Sequence, residues 1–154
     1  MLQLIQPYKK VIFIEVRKVS NEFQYIVVSF KLFKKNTQYN TIGTFSSLLE
    51  LKQEIKIKNL PVVILFTGKG VLTRKLDSNI VSQKKSDILN GILPNVDPSD
   101  FIVSSIRTST HTWVSAIRFS AVEKLIQEIK NEKCFVINIE CGEQFINEVY
   151  QYVD

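Results

Sequence analysis

Residues 60–76 read LPVVILFTGKGVLTRKL, and this stretch decides the fold that the sequence predicts. Pro61 ends any preceding helix, because it lacks an N–H group and moves its predecessor out of the helical region. Residues 62–66 are continuously apolar, which predicts a strand buried on both faces of a sheet. The GKG motif at residues 68–70 predicts a turn, and the alternation in residues 71–76 predicts an outer strand that completes a hairpin. We therefore expect a sheet with helices on its faces.

Three further strands are predicted upstream of this stretch. Residues 11–18 and 23–34 are rich in β-branched and aromatic residues and are separated by a short polar link, so they predict an antiparallel hairpin. Residues 38–45 predict a weaker third strand, because asparagine and glycine dilute its pattern. The chain therefore begins with three consecutive strands.

Two capping boxes of the form Ser-x-x-Glu predict the starts of helices. Ser47 with Glu50 opens the first, which we expect to end near residues 58–59, just before the proline. Ser120 with Glu123 opens the second, which carries the clearest amphipathic stripe in the chain. The remaining predicted elements are a short helix at 87–93, strands at 101–107, 112–118 and 135–139, and a closing helix marked by Phe145, Ile146, Val149 and Val153.

Length and composition predict one soluble globular domain. The chain has 154 residues, of which 45% are hydrophobic and 23% charged, and this balance is typical of a folded domain. No apolar run approaches the roughly 18 residues that a membrane span needs, and no secretory signal is recognisable, so we expect a cytoplasmic protein. Cys134 and Cys141 are too few and too poorly spaced for a disulfide framework or a zinc site, which predicts buried, reduced thiols.

The net charge of +5 is unevenly distributed along the chain. Residues 1–85 carry a net charge of +10 and residues 86–154 carry −5. A basic first half favours an acidic protein partner, a nucleic acid or an anionic membrane surface. Because the lysines are scattered and lack interleaved stacking aromatics, a plain solvated face is the simpler interpretation, and nucleic acid is the least favoured partner.

The order strand, strand, strand, helix, strand resembles the start of the ribonuclease H-like fold and of each lobe of the actin-like ATPases. Residues 61–77 (PVVILFTGKGVLTRKLD), 92–106 (ILPNVDPSDFIVSSI) and 112–130 (TWVSAIRFSAVEKLIQEIK) carry the more specific likeness. They resemble the cytoplasmic domain of type II secretion protein L and type IV pilus assembly protein M. The resemblance implies an α/β fold with a mixed five-stranded sheet and helices on its faces.

The same resemblance implies a domain organisation and a function. The chain would be a single actin-like lobe, residues 1–154, whose main sheet and helices come from residues 1–80 and 134–154. Residues 81–133 would form a small inserted αββα subdomain. The expected function is that of a non-enzymatic scaffold, a pseudo-ATPase that binds other secretion or pilus assembly proteins at the inner membrane.

The chain departs from the actin-like pattern where nucleotide phosphates are bound. Those ATPases place an Asp-x-Gly hairpin after the first strand, because glycine lets backbone N–H groups approach a phosphate. The corresponding residues 14–19 read IEVRKV, and no glycine occurs before Gly43. The GKG turn at residues 68–70 does not match the GxxxxGK[ST] phosphate loop either. We therefore expect no nucleotide hydrolysis and no cofactor.

A nuclease of the ribonuclease H type is the alternative from another functional class. Its two-metal chemistry needs carboxylates on the first strand, the first helix and the end of the fourth strand. Glu15 and Glu54 could fill two of these places, but residues 66–68 read FTG and supply no acid. A nucleotide-binding or nucleic-acid-processing role therefore stays open only as the second hypothesis, with no catalytic or metal residues assigned.

The candidate interaction residues are three lysines and the only tryptophan. Lys31 and Lys34 lie on the second predicted strand and Lys35 directly follows it, and we expect this strand to form a sheet edge open to strand addition or to a homodimer. Trp113 is expected to pack between sheet and helix, or to mark an interface if it is exposed. The sole histidine, His111, lacks neighbouring metal ligands and is expected in a surface turn.

Overall fold

The computed structural model describes residues 8–32, 37–77 and 84–146. Eight strands within these ranges form two sheets. The strands are β1 (Lys10–Val19), β2 (Glu22–Leu32), β3 (Thr37–Phe45), β4 (Pro61–Gly68), β5 (Leu72–Asp77), β6 (Phe101–Arg107), β7 (His111–Arg118) and β8 (Phe135–Cys141). The helices that lie between them are α1 (Leu48–Glu54), α2 (Lys85–Asn90) and α3 (Glu123–Lys130).

The larger sheet has five strands in the order β3-β2-β1-β4-β8. The pairs β1/β2 and β2/β3 are antiparallel, whereas β1/β4 and β4/β8 are parallel. The predicted first hairpin and the predicted mixed five-stranded sheet are therefore confirmed. The expectation that β2 is a sheet edge is wrong, because β2 is paired on both sides; within the described residues the outer strands are β3 and β8.

β4 is the central buried strand that its sequence predicts. Its residues from Pro61 to Thr67 are all buried, because β1 and β8 flank it and apolar side chains cover both faces. Val62, Ile64 and Phe66 belong to the core beneath α1 and α3, and Val63 and Leu65 to the core on the opposite face. Burial of each such side chain stabilises the fold by roughly 2 kcal/mol.

The smaller sheet has the order β5-β7-β6, with both pairs antiparallel. The predicted β4–β5 hairpin is therefore wrong, and residues 72–77 belong to the smaller sheet. Both edges of β4 are already occupied, so the chain has to leave the large sheet. The chain changes direction at Gly68, whose φ of 78° is a conformation that glycine adopts readily. The next residue is still held at the end of β1, because the N–H of Lys69 donates to the carbonyl of Lys18 at 2.9 Å.

The first capping box is present, but α1 ends earlier than predicted. The hydroxyl of Ser47 accepts from the N–H of Glu50 at 3.1 Å, and the Glu50 carboxylate in turn accepts from the N–H and the hydroxyl of Ser46, both at 2.8 Å. Ile55 is already extended, with φ −125° and ψ 118°. Ile55 and Ile57 are both buried while their neighbours are exposed, so the alternation of a strand-like segment has replaced the helical period.

The second capping box does not form. The chain after β7 makes a 3-10 turn at Phe119–Ala121, and α3 begins at Glu123 with Val122 as its N-cap and no side-chain cap. The turn lets Val122 enter the core together with the predicted amphipathic stripe. Leu125, Ile126 and Ile129 of that stripe are buried against the large sheet, as predicted.

The remaining predicted elements are found close to their expected positions. β6 has the predicted bounds, and β7 and β8 each extend beyond theirs by one or two residues. The predicted helix at 87–93 is found as α2, which starts two residues earlier and ends three residues earlier. The closing helix begins at residues 144–146, and the rest of that prediction lies outside the described residues. No helix in the described ranges is long and apolar enough to cross a membrane.

Candidate binding cleft between the two sheets

A cleft of about 700 Å³ lies between the large sheet and the small one, and we call it the intersheet cleft. Its lining combines a cation, an anion, an amide, a hydroxyl and apolar surface. The lining residues are Arg17, Thr73, Trp113, Glu143, Gln144 and Ile146. A cavity of about 400 Å³ adjoins it along Gly68, Val71 and Leu72 and shares Thr73, Glu143 and Gln144 with it. The volume of this cleft is within the range of ligand-binding pockets.

The topology of the large sheet places the cleft at one end. β1, β4 and β8 run parallel, so their carboxyl ends meet at the same side of the sheet. Arg17 comes near the end of β1, Gly68 ends β4, and Glu143 follows β8. In open α/β sheets, ligands bind in the crevice outside the carboxyl ends of the strands, so this is the expected place for a binding site.

A buried acid supports one wall of the cleft. Glu15 is only 3% exposed, and its Oε1 accepts from Thr67 Oγ1 at 2.7 Å. The same oxygen accepts from Arg17 Nε at 2.9 Å and forms an ion pair with the guanidinium, whose Nη2 is also 2.9 Å away. The Arg17 side chain is 43% exposed and has five N–H donors. Within the described part of the chain only Glu15 contacts this guanidinium, so it has donors left for a ligand in the cleft.

Glu15 and Glu54 do not converge on a common metal site. Glu15 shares its face of β1 with Phe13, on the side opposite α1, while Glu54 is exposed at the end of α1. The carboxylate of Glu15 is also neutralised by its guanidinium partner. The described residues contain no group of three His, Cys, Asp or Glu side chains that could hold a metal ion.

Hydrogen bonds between side chains join the end of β8 to the small sheet. Ser115 is completely buried, and its hydroxyl accepts from Gln144 Nε2 at 2.5 Å and meets Thr73 Oγ1 at 2.7 Å. The chain can pass this close because residue 142 is glycine, with a φ of 108°. A Cβ at Gly142 would collide with the Ser115 hydroxyl and the Gln144 amide. These contacts fix the distance between the two walls of the cleft.

A second serine makes a similar connection. Ser104 is buried and its hydroxyl accepts from the N–H of Cys141 at 2.9 Å.

Burial raises the pKa of the Cys141 thiol to about 11, so the thiol is neutral at physiological pH. Burial also raises the pKa of the half-buried Cys134. Both cysteines are free thiols, as predicted, although only Cys141 is fully buried.

Trp113 and His111 lie together on β7, facing the large sheet. Trp113 is partly exposed and lines the cleft. The His111 ring meets the indole edge to face, with ring centroids 5.7 Å apart. Its Nδ1 is 2.8 Å from the hydroxyl of Thr110. His111 is the half-buried first residue of β7, directly after the turn in which it was expected.

The lysines singled out from the sequence do not lie at this cleft. Lys31 is exposed on β2, directly opposite Lys10 at the start of β1, whereas the cleft lies at the other end of that strand. Lys34 and Lys35 lie outside the described residues. Lys69 is exposed in the turn between the two sheets.

Sequence reasoning did not identify Thr67, Thr73 or Gln144, because no motif contains them. Two weaker signals point to this region. An acid in the middle of an apolar strand, as at Glu15, needs a buried partner. A glycine directly after the last predicted strand, as at Gly142, indicates a close approach of the backbone to another element.

The fold and the site define the class as an α/β domain with a mixed five-stranded sheet and a cleft at the carboxyl ends of its parallel strands. The cytoplasmic domain of EpsL, an inner membrane component of the type II secretion system of Vibrio cholerae, has a similar fold, with a TM-score of 0.52 and 14% identity. The PilM-PilN type IV pilus biogenesis complex has a TM-score of 0.53 and 9% identity. The fold resemblance inferred from the sequence is therefore confirmed.

These likenesses extend over most of this chain but not over the compared proteins. The match covers 84% of this chain and 57% of the EpsL domain, and 83% of this chain and 46% of the pilus protein. The chain thus spans about half the length of the structures that it matches. No protein-family model matches the chain, and no similar sequence is found among curated proteins.

Proposed function

We propose that this chain is a non-enzymatic assembly module of a secretion or pilus platform at the cytoplasmic side of an inner membrane. It acts by binding other assembly proteins, and the intersheet cleft holds a segment of one of them. The fold supports this proposal, since one similar structure is an inner membrane secretion component and the other is a complex between two pilus biogenesis proteins.

The lining of the cleft is the observation that carries the proposal. Among the described residues, Arg17 contacts only Glu15 and Gln144 bonds only Ser115, so both have further hydrogen-bonding groups to offer, and Glu143 offers an acceptor. Trp113 and Ile146 add apolar surface. A peptide presents the complementary groups, because its backbone alternates donors and acceptors while its side chains supply apolar contacts.

The alternative is a nucleotide-binding or nucleic-acid-processing role, which the position of the cleft at the strand ends favours. The groups that would hold phosphate are few. The β1–β2 turn at residues 20–21 contains no glycine, and the acid on β1 is engaged by Arg17 and Thr67. We therefore rank this role second.

The proposal includes the organisation inferred from the resemblance. The chain is one actin-like lobe, and the segment containing β6 and β7 is an insert that supplies one wall of the cleft. A homodimer and an anionic membrane surface are further candidate partners of the basic first half.

Site-specific crosslinking in the native cells tests the proposal. A benzoylphenylalanine placed at Glu143, which is exposed and lines both cavities, should crosslink to other inner-membrane secretion or pilus assembly proteins. The same residue placed at Lys56 is the matched control, because Lys56 is exposed and precedes the opposite end of β4. Equal adducts from both positions, or none from residue 143, would refute the cleft as the binding site.

A thermal-shift measurement separates the two functional classes. We expect no change in Tm with Mg²⁺-ATP or with a short RNA–DNA duplex. A ligand present at about 100 times its Kd would stabilise the protein by about 2.7 kcal/mol, which is readily measured. Stabilisation of that size would favour the second role over the first.

A further inference from the structure

β3 is an outer strand that lacks two of the usual features that protect a sheet edge, namely charged residues and prolines. Among the described residues it pairs only with β2, and its sequence TQYNTIGTF contains neither a charged residue nor a proline. Tyr39 is 44% exposed and Ile42 is 37% exposed. Charged residues and prolines on an edge discourage pairing with another chain, so their absence leaves the N–H and C=O groups of β3 available.

The opposite edge of the sheet differs from β3 in this respect. On β8, the N–H of Ile139 donates to the side-chain oxygen of Asn138 at 2.9 Å, and the N–H of Cys141 donates to Ser104 Oγ at 2.9 Å. Side chains therefore occupy backbone donors that a further strand would need. β3 is thus the better edge for strand addition within the described part of the chain.

A bulge limits the available part of β3 to its first five residues. The register between β2 and β3 shifts at Val27/Val28, where Ile42 is the extra residue on β3. Residues 37–41 pair regularly with residues 28–32 on the other side of the bulge. A strand of about five residues has room to pair along this segment.

Two lysines give the region beside this edge an unbalanced positive charge. Lys10 and Lys31 are both exposed and lie directly opposite each other in the β1/β2 ladder, and Gln38 of β3 lies opposite Lys31 on its other side. Like charges in directly opposed positions are destabilising. The described residues supply no ion-pair partner to either lysine. The two lysines therefore carry positive charge that an external anion could neutralise.

We propose that the β3 edge binds an extended, acidic segment of another protein by strand addition. The segment's backbone pairs with residues 37–41, and its carboxylates on the face shared with Gln38 approach Lys31. Adjacent strands are about 4.8 Å apart, so Lys31 is about 10 Å from the added strand, which a lysine and a glutamate side chain span together. Lys10 strengthens the positive field. This surface is independent of the intersheet cleft, which lies at the other end of β1.

The test uses a capped peptide of alternating Glu and Val, about ten residues long and fluorescently labelled, with a Lys/Val peptide as its charge-reversed control. Fluorescence anisotropy at low salt should show binding of the acidic peptide only. Lys31→Glu should weaken this binding at least about fivefold, because it replaces attraction by repulsion. Lys69→Glu is the matched control, since Lys69 is exposed near the far end of β1, and it should change affinity less than about twofold.

Amide hydrogen exchange then distinguishes strand addition from simple charge attraction. Bound peptide should slow exchange at alternate amides within residues 37–41, and it should leave the cleft-lining amides unchanged. Lys31→Glu should not lower the Tm, because it replaces a like charge across from Lys10 by an opposite one. That variant therefore reports on binding and not on folding.

Three outcomes would overturn the proposal. Peptide binding without slower exchange in β3 would mean that charge alone attracts it. Concentration-dependent protection of β3 in the free protein would assign the edge to a second copy of this chain. Binding to vesicles of anionic phospholipid, with no binding of the acidic peptide, would assign the lysines to a membrane surface.

Discussion

The hydroxyl of Thr67 donates a hydrogen bond of 2.7 Å to Glu15 Oε1, although the two residues are 52 positions apart and lie on different strands. β1 and β4 run parallel, so the bond ties their carboxyl ends together beside the intersheet cleft. Arg17 completes the cluster from the more exposed side. The acid of the first strand is thus held in an internally satisfied cluster with Thr67 and Arg17.

Removing one member of this cluster should destabilise the protein. Thr67→Val deletes the hydroxyl at nearly constant volume and should lower the free energy of unfolding by about 1–2 kcal/mol, while Glu15→Gln should cost about 1–3 kcal/mol. Because the two residues are in contact, the double variant should lose less than the sum of the single losses. Urea denaturation measures all three values.

The exposed Thr44 on β3 provides the control for this experiment. Thr44→Val makes the same chemical change without a buried partner, and it should alter stability by no more than about 0.5 kcal/mol. Losses from Thr67→Val and Glu15→Gln that simply add would show that the bond between them contributes nothing to stability.

Gly142→Ala should be more damaging than the same change at another glycine with positive φ. A Cβ at Gly142 would collide with Ser115 and Gln144, whereas Gly70, with φ of 95°, has nothing within 4 Å. Gly70→Ala should therefore cost only backbone strain, about 1–3 kcal/mol. Gly142→Ala should cost about 2 kcal/mol more, because the overlap adds to the strain. Equal melting temperatures for the two variants would contradict the close packing at Ser115.

The two thiols should react at different rates. Cys141 is buried and its pKa is raised to about 11 by that burial, so almost none of it is thiolate at pH 8, whereas Cys134 is half-buried. A thiol reagent should modify one cysteine quickly in the native protein and both in denaturant. The Cys134→Ser variant should lose the fast phase, and a surviving fast phase would place Cys141 nearer the surface than the structure does.

Burial of Cys141 also predicts how stability changes at alkaline pH. The neutral thiol is favoured in the folded protein, so its pKa is about 11 when folded and near the ordinary 9.0 when unfolded. Stability from this group is complete below pH 9 and falls as the pH rises toward 11, because only the unfolded chain then releases the proton. Cys141→Ala should flatten this part of the stability profile relative to the wild type.

Trp113 is the only tryptophan and lines the cleft, so intrinsic fluorescence should report when the cleft is occupied. A partner segment that enters should shift the emission to shorter wavelength and reduce quenching by acrylamide, because it excludes water from the indole. The acidic peptide directed at β3 should leave the emission unchanged. A shift with that peptide would show that the two surfaces are coupled or that they are one.

Much of the local structure could be predicted from the sequence. The apolar run of β4 and the alternation in β6 are local patterns, and they locate those strands to within a residue or two. The sequence also contains a signal for the early end of α1, because IKIK at residues 55–58 alternates with the period of a strand. The prediction of a helix up to residues 58–59 did not use this signal. The capping box around Ser120 was misleading, because burial of Val122 was favoured over a side-chain cap.

The sequence alone determined which segments are strands, which faces are apolar and where the chain must turn, because side-chain period and backbone preferences act over a few residues. Only the tertiary structure decided that β5 leaves β4 for β7 and that β3 is an outer strand of the sheet formed by the described residues. Strand pairing is a choice between distant partners with equivalent backbone groups, and it depends on which edges are already occupied. The cleft and the bond between Glu15 and Thr67 follow from that choice.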